Sequence, residues 1–291
     1  MQFATNTAYL HRRLGLEGAI ERLAGYGFSN IDVTLFNMDL PPYNTDFVTL
    51  ADKCVAIAKA RGLKFTQAHA PFARAVTEHI ETQLPLFPRI FEFAARLGIP
   101  HIVVHTLKDY GTKYSANSKE ILDVNYKYFK GIAQIASQYG VKIAIENTFQ
   151  RDPVTRKILC SPLSNPIEHR DFFDRLDDEK SFTLCLDVGH AAITHFDPSE
   201  SIRILGADRL GALHIQDNDY VEDLHFSPGT SRLDFYAICR ALGEINYRGI
   251  YTLECDHELS RTSTDAQIDA YYTNLASVAK KHCALIDSFK M

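Results

Sequence analysis

The chain has 291 residues, 46% hydrophobic and 23% charged, enough apolar material for one large core or two smaller ones. A net charge of −5 and a pI near 6.2 exclude a general attraction to nucleic acid or an anionic membrane, leaving only a local basic groove as a route to phosphate polymers. No run approaches the roughly 18 apolar residues of a membrane span. The start, Met-Gln-Phe-Ala-Thr-Asn-Thr, lacks the basic and apolar regions of a signal peptide, and the six cysteines show no CxxC spacing. A cytoplasmic location with reduced thiols and no membrane contact is the expectation.

Strand-like and helix-like runs alternate eight times along the chain. Gln2 to Thr5 precedes an amphipathic stretch from Leu16 to Gly25, with Ile20, Leu23 and Ala24 on one face. Ile31 to Phe36 leads to a helix carrying Phe47, Leu50, Ala51, Cys54 and Ala58 at helical spacing. Lys64 to His69 and a helix around Leu86 to Leu97 follow, then His101 to His105 and a long helix from Ser118 to Tyr139. Gly62, Gly98 and Gly140 stand where left-handed C-caps are expected. The second half repeats the pattern with strands at Val141, Phe182, Leu210 and Gly249. Its helices are expected near Ile167 to Leu176, Glu200 to Leu205, Leu233 to Leu242 and Asp265 to Cys283. With no composition break and no low-complexity linker, residues 1–291 read as a single (β/α)8 TIM barrel. The irregular stretches Lys108 to Asn117 and Phe149 to Asn165 both follow strands and are candidate lids on the strand C-terminal face.

Four of the apolar runs in the second half finish in one polar residue each: Glu146, Asp187, His214 and Glu254. The gaps of 41, 27 and 40 residues rule out a local loop motif. Only a fold that brings successive strand ends to one rim gathers them, and a parallel barrel does so. Side chains two apart on a strand share a face, so inward-pointing ligands imply inward Ala144, Cys185, Ala212 and Thr252. Those are small or modest, whereas the outward neighbours Ile145, Leu186, Leu213 and Leu253 are large. An isolated acid after a strand ordinarily caps a helix, but capping alone does not account for four metal-binding residue types on one rim.

Other polar residues fall at the same rim: His69 and His105 end the third and fourth strands, and His190 lies three residues beyond Asp187. The segment after the seventh strand adds Asp217, Asp219, Asp223 and His225. His257 falls just beyond the rim, Phe72 either walls the pocket or packs, and Arg232 is a lone candidate anchor for a phosphate.

These pieces together resemble the xylose isomerase-like barrel superfamily, in particular its sugar phosphate isomerase/epimerase group. The resemblance is carried by His-Ala-Pro at 69 to 71, Val-Val-His at 103 to 105, Ile-Glu-Asn at 145 to 147 and Leu-Asp-Val-Gly-His at 186 to 190. His-Ile-Gln-Asp-Asn-Asp at 214 to 219, Asp-Leu-His-Phe-Ser-Pro-Gly at 223 to 229 and Leu-Glu at 253 and 254 complete it, in order over almost the whole length. Ser231 departs from the pattern, standing where a second glycine of Pro-Gly-x-Gly is familiar.

The resemblance implies that Glu146, Asp187, His214 and Glu254 hold one divalent ion, with Glu146 and Glu254 as acid and base on the two faces of a sugar and His190 on a substrate oxygen. His69, His105, Asn147, Asp223 and His225 are the further substrate-contact candidates, Asn147 alternatively orienting a ligand. Three oxygen donors and one nitrogen suit Mn²⁺ first, then Mg²⁺, Co²⁺ or Zn²⁺. Such an ion stabilises the enediolate formed when a proton leaves the carbon beside a carbonyl. The expected partner is a small sugar, with a homodimer or homotetramer implied by resemblance. Two other activities start from similar residues. One is a keto-inositol dehydratase. The other is the superfamily's three-zinc apurinic endonuclease, for which the nine rim residues are possible counterparts; the acidic charge and the single basic residue after His69, Arg74, count against duplex binding.

Overall fold

The computed structural model describes residues 1–72, 82–108 and 114–290. In chain order the elements are β1 (Gln2–Asn6), α1 (Ala8–Gly25), β2 (Asn30–Thr34), α2 (Phe47–Arg61), β3 (Lys64–His69), α3 (Phe87–Leu97), β4 (His101–His105), α4 (Tyr114–Ala136) and β5 (Lys142–Glu146). There follow β6 (Phe149–Arg151), β7 (Ile158–Cys160), α5 (Pro166–Leu176), β8 (Phe182–Asp187), α6 (Val188–Ile193), α7 (Pro198–Arg209), β9 (Leu210–His214), α8 (Phe235–Glu244), β10 (Ile250–Leu253) and α9 (Asp265–Phe289). Eight parallel strands lie in the order β10-β1-β2-β3-β4-β5-β8-β9. The ring closes where Ile215 bridges Leu253, its N–H donating to Thr252 O and its carbonyl accepting from the Glu254 N–H. The expected (β/α)8 barrel is therefore present, with the helices around its outside.

The alternation within the strands separates two cores. Val103, Ala144, Cys185 and Ala212 form a small cluster inside the barrel, while Ile143, Ile145, Leu184, Leu186, Leu213 and Leu253 join the large core shared with the helices. Small residues inside are what a closed ring leaves room for beneath a layer of polar side chains. Gly62, Gly98 and Gly140 take the left-handed caps read from sequence, with φ of 69°, 74° and 68°. Such caps satisfy the last carbonyls of a helix at no Cβ cost.

The differences from the sequence reading have local causes. The first helix starts eight residues earlier than its apolar periodicity, at Ala8, because two helical pieces join across Gly15, whose φ of 74° breaks the period. The stretch from Phe149 to Asn165 is not irregular: β6 and β7 form an antiparallel hairpin paired from Phe149 with Cys160 to Arg151 with Ile158. Three-residue strands are too short to show alternation. The long helix begins at Tyr114 rather than Ser118, so the other expected lid shrinks to Lys108 and residues 109–113; those five, like Arg74 and His79, lie outside the described residues. No helix among the described residues is long and apolar enough to cross a membrane.

His169, on α5, is buried behind the strand that carries Glu146 and contacts Ile145 O through Nε2 at 3.0 Å. Burial pulls its imidazole down from about 6.5 to about 4, only partly offset by that hydrogen bond. The folded state thus holds a neutral ring that the unfolded chain protonates first as pH falls. Its contribution is full above pH ~6.5 and is lost between ~6.5 and ~4, on the order of 3 kcal/mol in all. Denaturation curves across that window should show stability falling more steeply in the wild type than in His169→Gln, which keeps a donor but does not titrate. Parallel pH profiles would remove His169 as the cause.

Candidate metal centre

β5, β8, β9 and β10 each deliver one polar side chain to the C-terminal mouth of the barrel. Glu146, Asp187 and His214 end their strands, and Glu254 follows β10 directly. Glu146, Asp187 and His214 are fully buried, while Glu254 keeps a little exposure and faces a cavity of about 460 Å³. Ligand atoms of these four lie within 4.8 Å of one another. His214 Nδ1 stands between the two glutamates, 2.7 Å from Glu146 Oε1 and 3.2 Å from Glu254 Oε2.

Asp187 combines the two roles that its position allows. Its Oδ1 caps α6 by accepting the His190 N–H at 2.7 Å, while its Oδ2 is buried without a hydrogen-bond partner. An ionised oxygen in that state is costly unless something positive completes it. Together with three carboxylates and one imidazole in reach of a common point, this orphaned oxygen fits a divalent cation.

The surroundings orient these groups. Asn147 donates one Nδ2–H to Asp187 O at 2.9 Å and accepts the Asp187 N–H at 2.8 Å, so its amide holds the backbone of Asp187 in place. His214 Nε2 lies 2.9 Å from Gln67 Nε2 and 3.5 Å from Asp32 Oδ2, and Gln67 Nε2 also donates to Asp32 Oδ2 at 3.0 Å. With Nδ1 facing the carboxylates, Asp32 is the acid behind the histidine, the usual arrangement at metal sites. Asp32 and Gln67 did not emerge from the sequence reading; the available signal was an acid in mid-strand opposite a glutamine two residues before His69.

Two more groups adjoin the first. His105 Nε2 is 2.7 Å and His69 Nε2 3.4 Å from Glu146 Oε2, so the two oxygens of Glu146 face different neighbours. His190, Asp223 and His225 form the third group, with Asp223 Oδ2 3.1 Å from His225 Nε2 and Asp223 Oδ1 3.6 Å from His190 Nε2. Burial disfavours every charge here, yet pairing wins at several. For Glu146 the neighbouring His214 and His105 outweigh burial and hold the carboxyl well below its ordinary range. Burial also lowers His190, but Asp187 and Asp223 outweigh it and raise the ring to about 9. Glu254 goes the other way: burial lifts it, and three histidines only partly offset the rise. Two carboxyls pushed apart by their environments can divide acid and base work.

The structure thus brings the ten metal-ligand and substrate-contact candidates, Glu146, Asp187, His214 and Glu254 with His69, His105, Asn147, His190, Asp223 and His225, to one mouth. Phe72 walls the cavity, its ring stacked on His105 with centroids 4.6 Å apart. His257, expected beyond the rim, also lines the cavity, 4.7 Å ring to ring from His225. Arg232 does not line it; its main-chain N–H donates to Asn218 O and Asp217 Oδ1. Asp217, grouped with the rim acids in the sequence, braces the loop by accepting N–H bonds from Gly229, Ser231, Arg232 and Leu233 at 2.8–3.0 Å. Ser231 has no positive φ and so fills the glycine position without strain.

Gln216 holds the third group in place, Nε2 donating to Asp223 Oδ1 at 2.7 Å and Oε1 accepting the His225 N–H at 3.2 Å. Gly189 makes room for it, since a Cβ there would stand 2.3 Å from Gln216 Cδ. Gly189→Ala should cost about 1–3 kcal/mol in urea denaturation, the range for overpacking. Adding Gln216→Ala should restore part of that loss; additive effects of the two substitutions would show that the contact is not the cause.

The family model for the xylose isomerase-like TIM barrel matches residues 20–276. Among solved structures, a D-tagatose 3-epimerase-like protein superposes with a TM-score of 0.78 at 19% identity, covering 99% of both chains. A D-psicose 3-epimerase superposes with a TM-score of 0.74 at 20% identity, covering 97% of this chain and 99% of the other. A probable endonuclease 4 of Nitrosopumilus maritimus is 27% identical over 168 residues, 52% of this chain and 55% of that protein. The chain spans about half the length of the curated relatives it matches, from 44% to 58%. With a family model covering residues 20–276, the chain belongs to the xylose isomerase-like TIM barrel family.

Proposed function

We propose that this protein is a divalent-metal-dependent sugar isomerase or epimerase that moves a proton on the carbon next to a carbonyl. The observation that carries the reading is the convergence of Glu146, Asp187, His214 and Glu254, with Glu254 open to a cavity large enough for a sugar. The ketose epimerases among the similar structures support the choice of substrate class. Manganese is the first choice for the donor set, ahead of Mg²⁺, Co²⁺ and Zn²⁺.

When bound, the ion supplies Lewis-acid stabilisation to the charge that develops on the substrate oxygens. Glu254, the glutamate facing the cavity, takes the proton from the carbon beside the carbonyl, and the electron pair passes to the carbonyl oxygen. Return of that proton from Glu254 to the neighbouring carbon gives the isomer, whereas the epimer requires that Glu146, ionised in the resting centre, first gain a proton that it then delivers on the opposite face. His190 is held with Nδ1 2.9 Å from Asn147 O, which leaves Nε2 to donate to a substrate oxygen. His69, His105 and His225 fill the wall around these groups, and Phe72 limits the entry of water.

A second reading is favoured by a specific observation. Among the described residues five overlapping groups could hold an ion, two of which, His69–His214–Glu254 and Glu146–Cys185–His214, cut across the others; the remaining three lie side by side as His69, His105 and Glu146, then Glu146, Asp187, His214 and Glu254, then His190, Asp223 and His225. Glu146 belongs to two of these three through different oxygens, which suits a carboxylate shared between two ions and would leave it unable to carry a proton. Such a centre fits phosphodiester hydrolysis of the apurinic endonuclease type, and the local similarity to a probable endonuclease 4 points the same way.

Metal analysis and exchange chemistry separate the readings. The metal-loaded protein, incubated with ketoses, ketose phosphates, keto acids and keto-inositols in D₂O, should place deuterium beside a carbonyl, with about one ion per chain. Glu254→Gln should slow that exchange about 10²- to 10⁴-fold, the usual worth of a general base. New sugar signals would distinguish an isomerase from a dehydratase. No exchange on any compound, with about three zinc ions per chain and nicking of an abasic-site duplex, would overturn the isomerase reading in favour of the nuclease.

A further inference from the structure

The cavity wall contains cations that neither reading uses. Lys108, three residues beyond β4, is buried, yet among the described residues no carboxylate stands within ion-pair distance of its ammonium. Its Nζ donates to Phe149 O at 2.6 Å and lies 5.6 Å from the Phe149 ring centroid. One of three N–H bonds is therefore spent, and the group borders the cavity. Burial lowers it to about 8, offset in part by the more distant Glu146 and Asp223, so it still carries charge at neutral pH.

The β6–β7 hairpin adds to the same wall. Arg151 and Arg156 both line the cavity. Arg151 is tethered, with Nη2 2.7 Å from Glu222 Oε2 and Nη1 donating to Arg156 O at 3.3 Å. Arg156 has φ of 61°, in the left-handed region that is costly for a side-chain-bearing residue, and among the described residues its guanidinium has no hydrogen-bond or ion-pair partner. The other cation of the cavity, Arg12, is already matched by Asp256 at 3.0 Å. In a chain of net charge −5, two cations with no acid in ion-pair reach among the described residues, one of them buried, are a local feature and not a consequence of composition.

We propose that Lys108 and Arg156, with Arg151 holding the hairpin in place, bind an anionic group of the substrate, a phosphate or a carboxylate, so that the sugar acted upon is charged rather than neutral. This rests on the isomerase reading for the identity of the rest of the substrate. A neutral donor in place of Lys108 would tie β4 to the hairpin equally well through Phe149 O, without the cost of burying an ammonium. An arriving anion offsets that cost and takes up the unspent N–H groups in charge-assisted bonds.

The test compares a neutral ketose with its terminal phosphate and with the corresponding keto-sugar acid, in the metal-loaded protein. The ratio of kcat/KM for the anionic member over the neutral one should be about tenfold or more, and Lys108→Gln and Arg156→Gln should each lower it about tenfold, mainly through KM. The phosphate and acid arms show which anion is preferred. In parallel, calorimetric titration with inorganic phosphate should show binding that weakens about tenfold in both variants. Loss of phosphate binding on substitution without turnover of any sugar would leave the anion site standing while the isomerase reading fails. Equal use of neutral and charged sugars by the wild type, or phosphate binding unchanged in both variants, would overturn the proposal. Arg156 is exposed on a hairpin turn, so its variant tests the proposal even if Lys108→Gln does not fold.

Discussion

A carboxylate with no exposure at all, Glu146, sits at the junction of the site, and much of what surrounds it is a response to that burial. Removing such a group from water costs several kcal/mol unless pairing and hydrogen bonds replace its hydration. Here His214 meets one oxygen, and His105 and His69 meet the other. Their own rings are then held from behind: His214 by Gln67 and Asp32, and His69 by the carbonyl of Ala70 at 2.7 Å from Nδ1. The charge at the centre thus fixes the orientation of side chains on four different strands.

The barrel makes this arrangement possible through a period-two pattern. Inside, Ala144, Cys185 and Ala212 sit one layer below the ligands and are small enough to leave the ring closed and filled. Outside, the alternate residues are large and bind the strands to the helices. A one-residue slip of β5 would send Glu146 into the apolar helix layer and Ile145 into the site, so packing and site register are specified together. The register shifts between Leu184 and Cys185 on β8 and between Ile31 and Asp32 on β2 lie beside the site strands, where a local offset re-aims the side chains that follow.

The site was legible in the sequence to the extent that it obeys that pattern. Glu146, Asp187 and His214 end apolar runs with the strand period intact, and Glu254 follows one, so residue type and position carried the same message. Asp32 and Gln67 were harder to read because their meaning lies in each other: the two are paired in register across β2 and β3, and neither sequence segment alone says which strands adjoin. Lys108 was hidden for a similar reason, since its burial depends on a hairpin with strands too short to show a period. Asn147 shows the opposite limit. Its place beside Glu146 left two roles open, orienting a ligand or meeting a sugar hydroxyl, and its two bonds to the Asp187 backbone, made across strands, could not be read from the sequence.

The isomerase and nuclease readings draw on the same rim residues, and the difference between them rests on how the oxygens of Glu146 would be used. A base needs an oxygen that can gain and release a proton as the substrate turns over. A carboxylate shared between two ions has neither oxygen available, and its proton affinity falls with each positive charge beside it. In the protein chain the two oxygens already face different groups, His214 on one side and His105 with His69 on the other. Glu254 Oε2 lies 3.2 Å from His214 Nδ1 and 3.8 Å from His225 Nδ1, and unlike Glu146 the residue opens on the cavity, which suits proton transfer. On these two proposals the number of ions beside Glu146 would decide whether the centre works with two bases, as epimerisation on two faces requires, or with one base and a bridged carboxylate, as hydrolysis of a phosphodiester permits. Within one fold, that choice depends on whether His69 and His105 act as walls of a sugar pocket or as ligands.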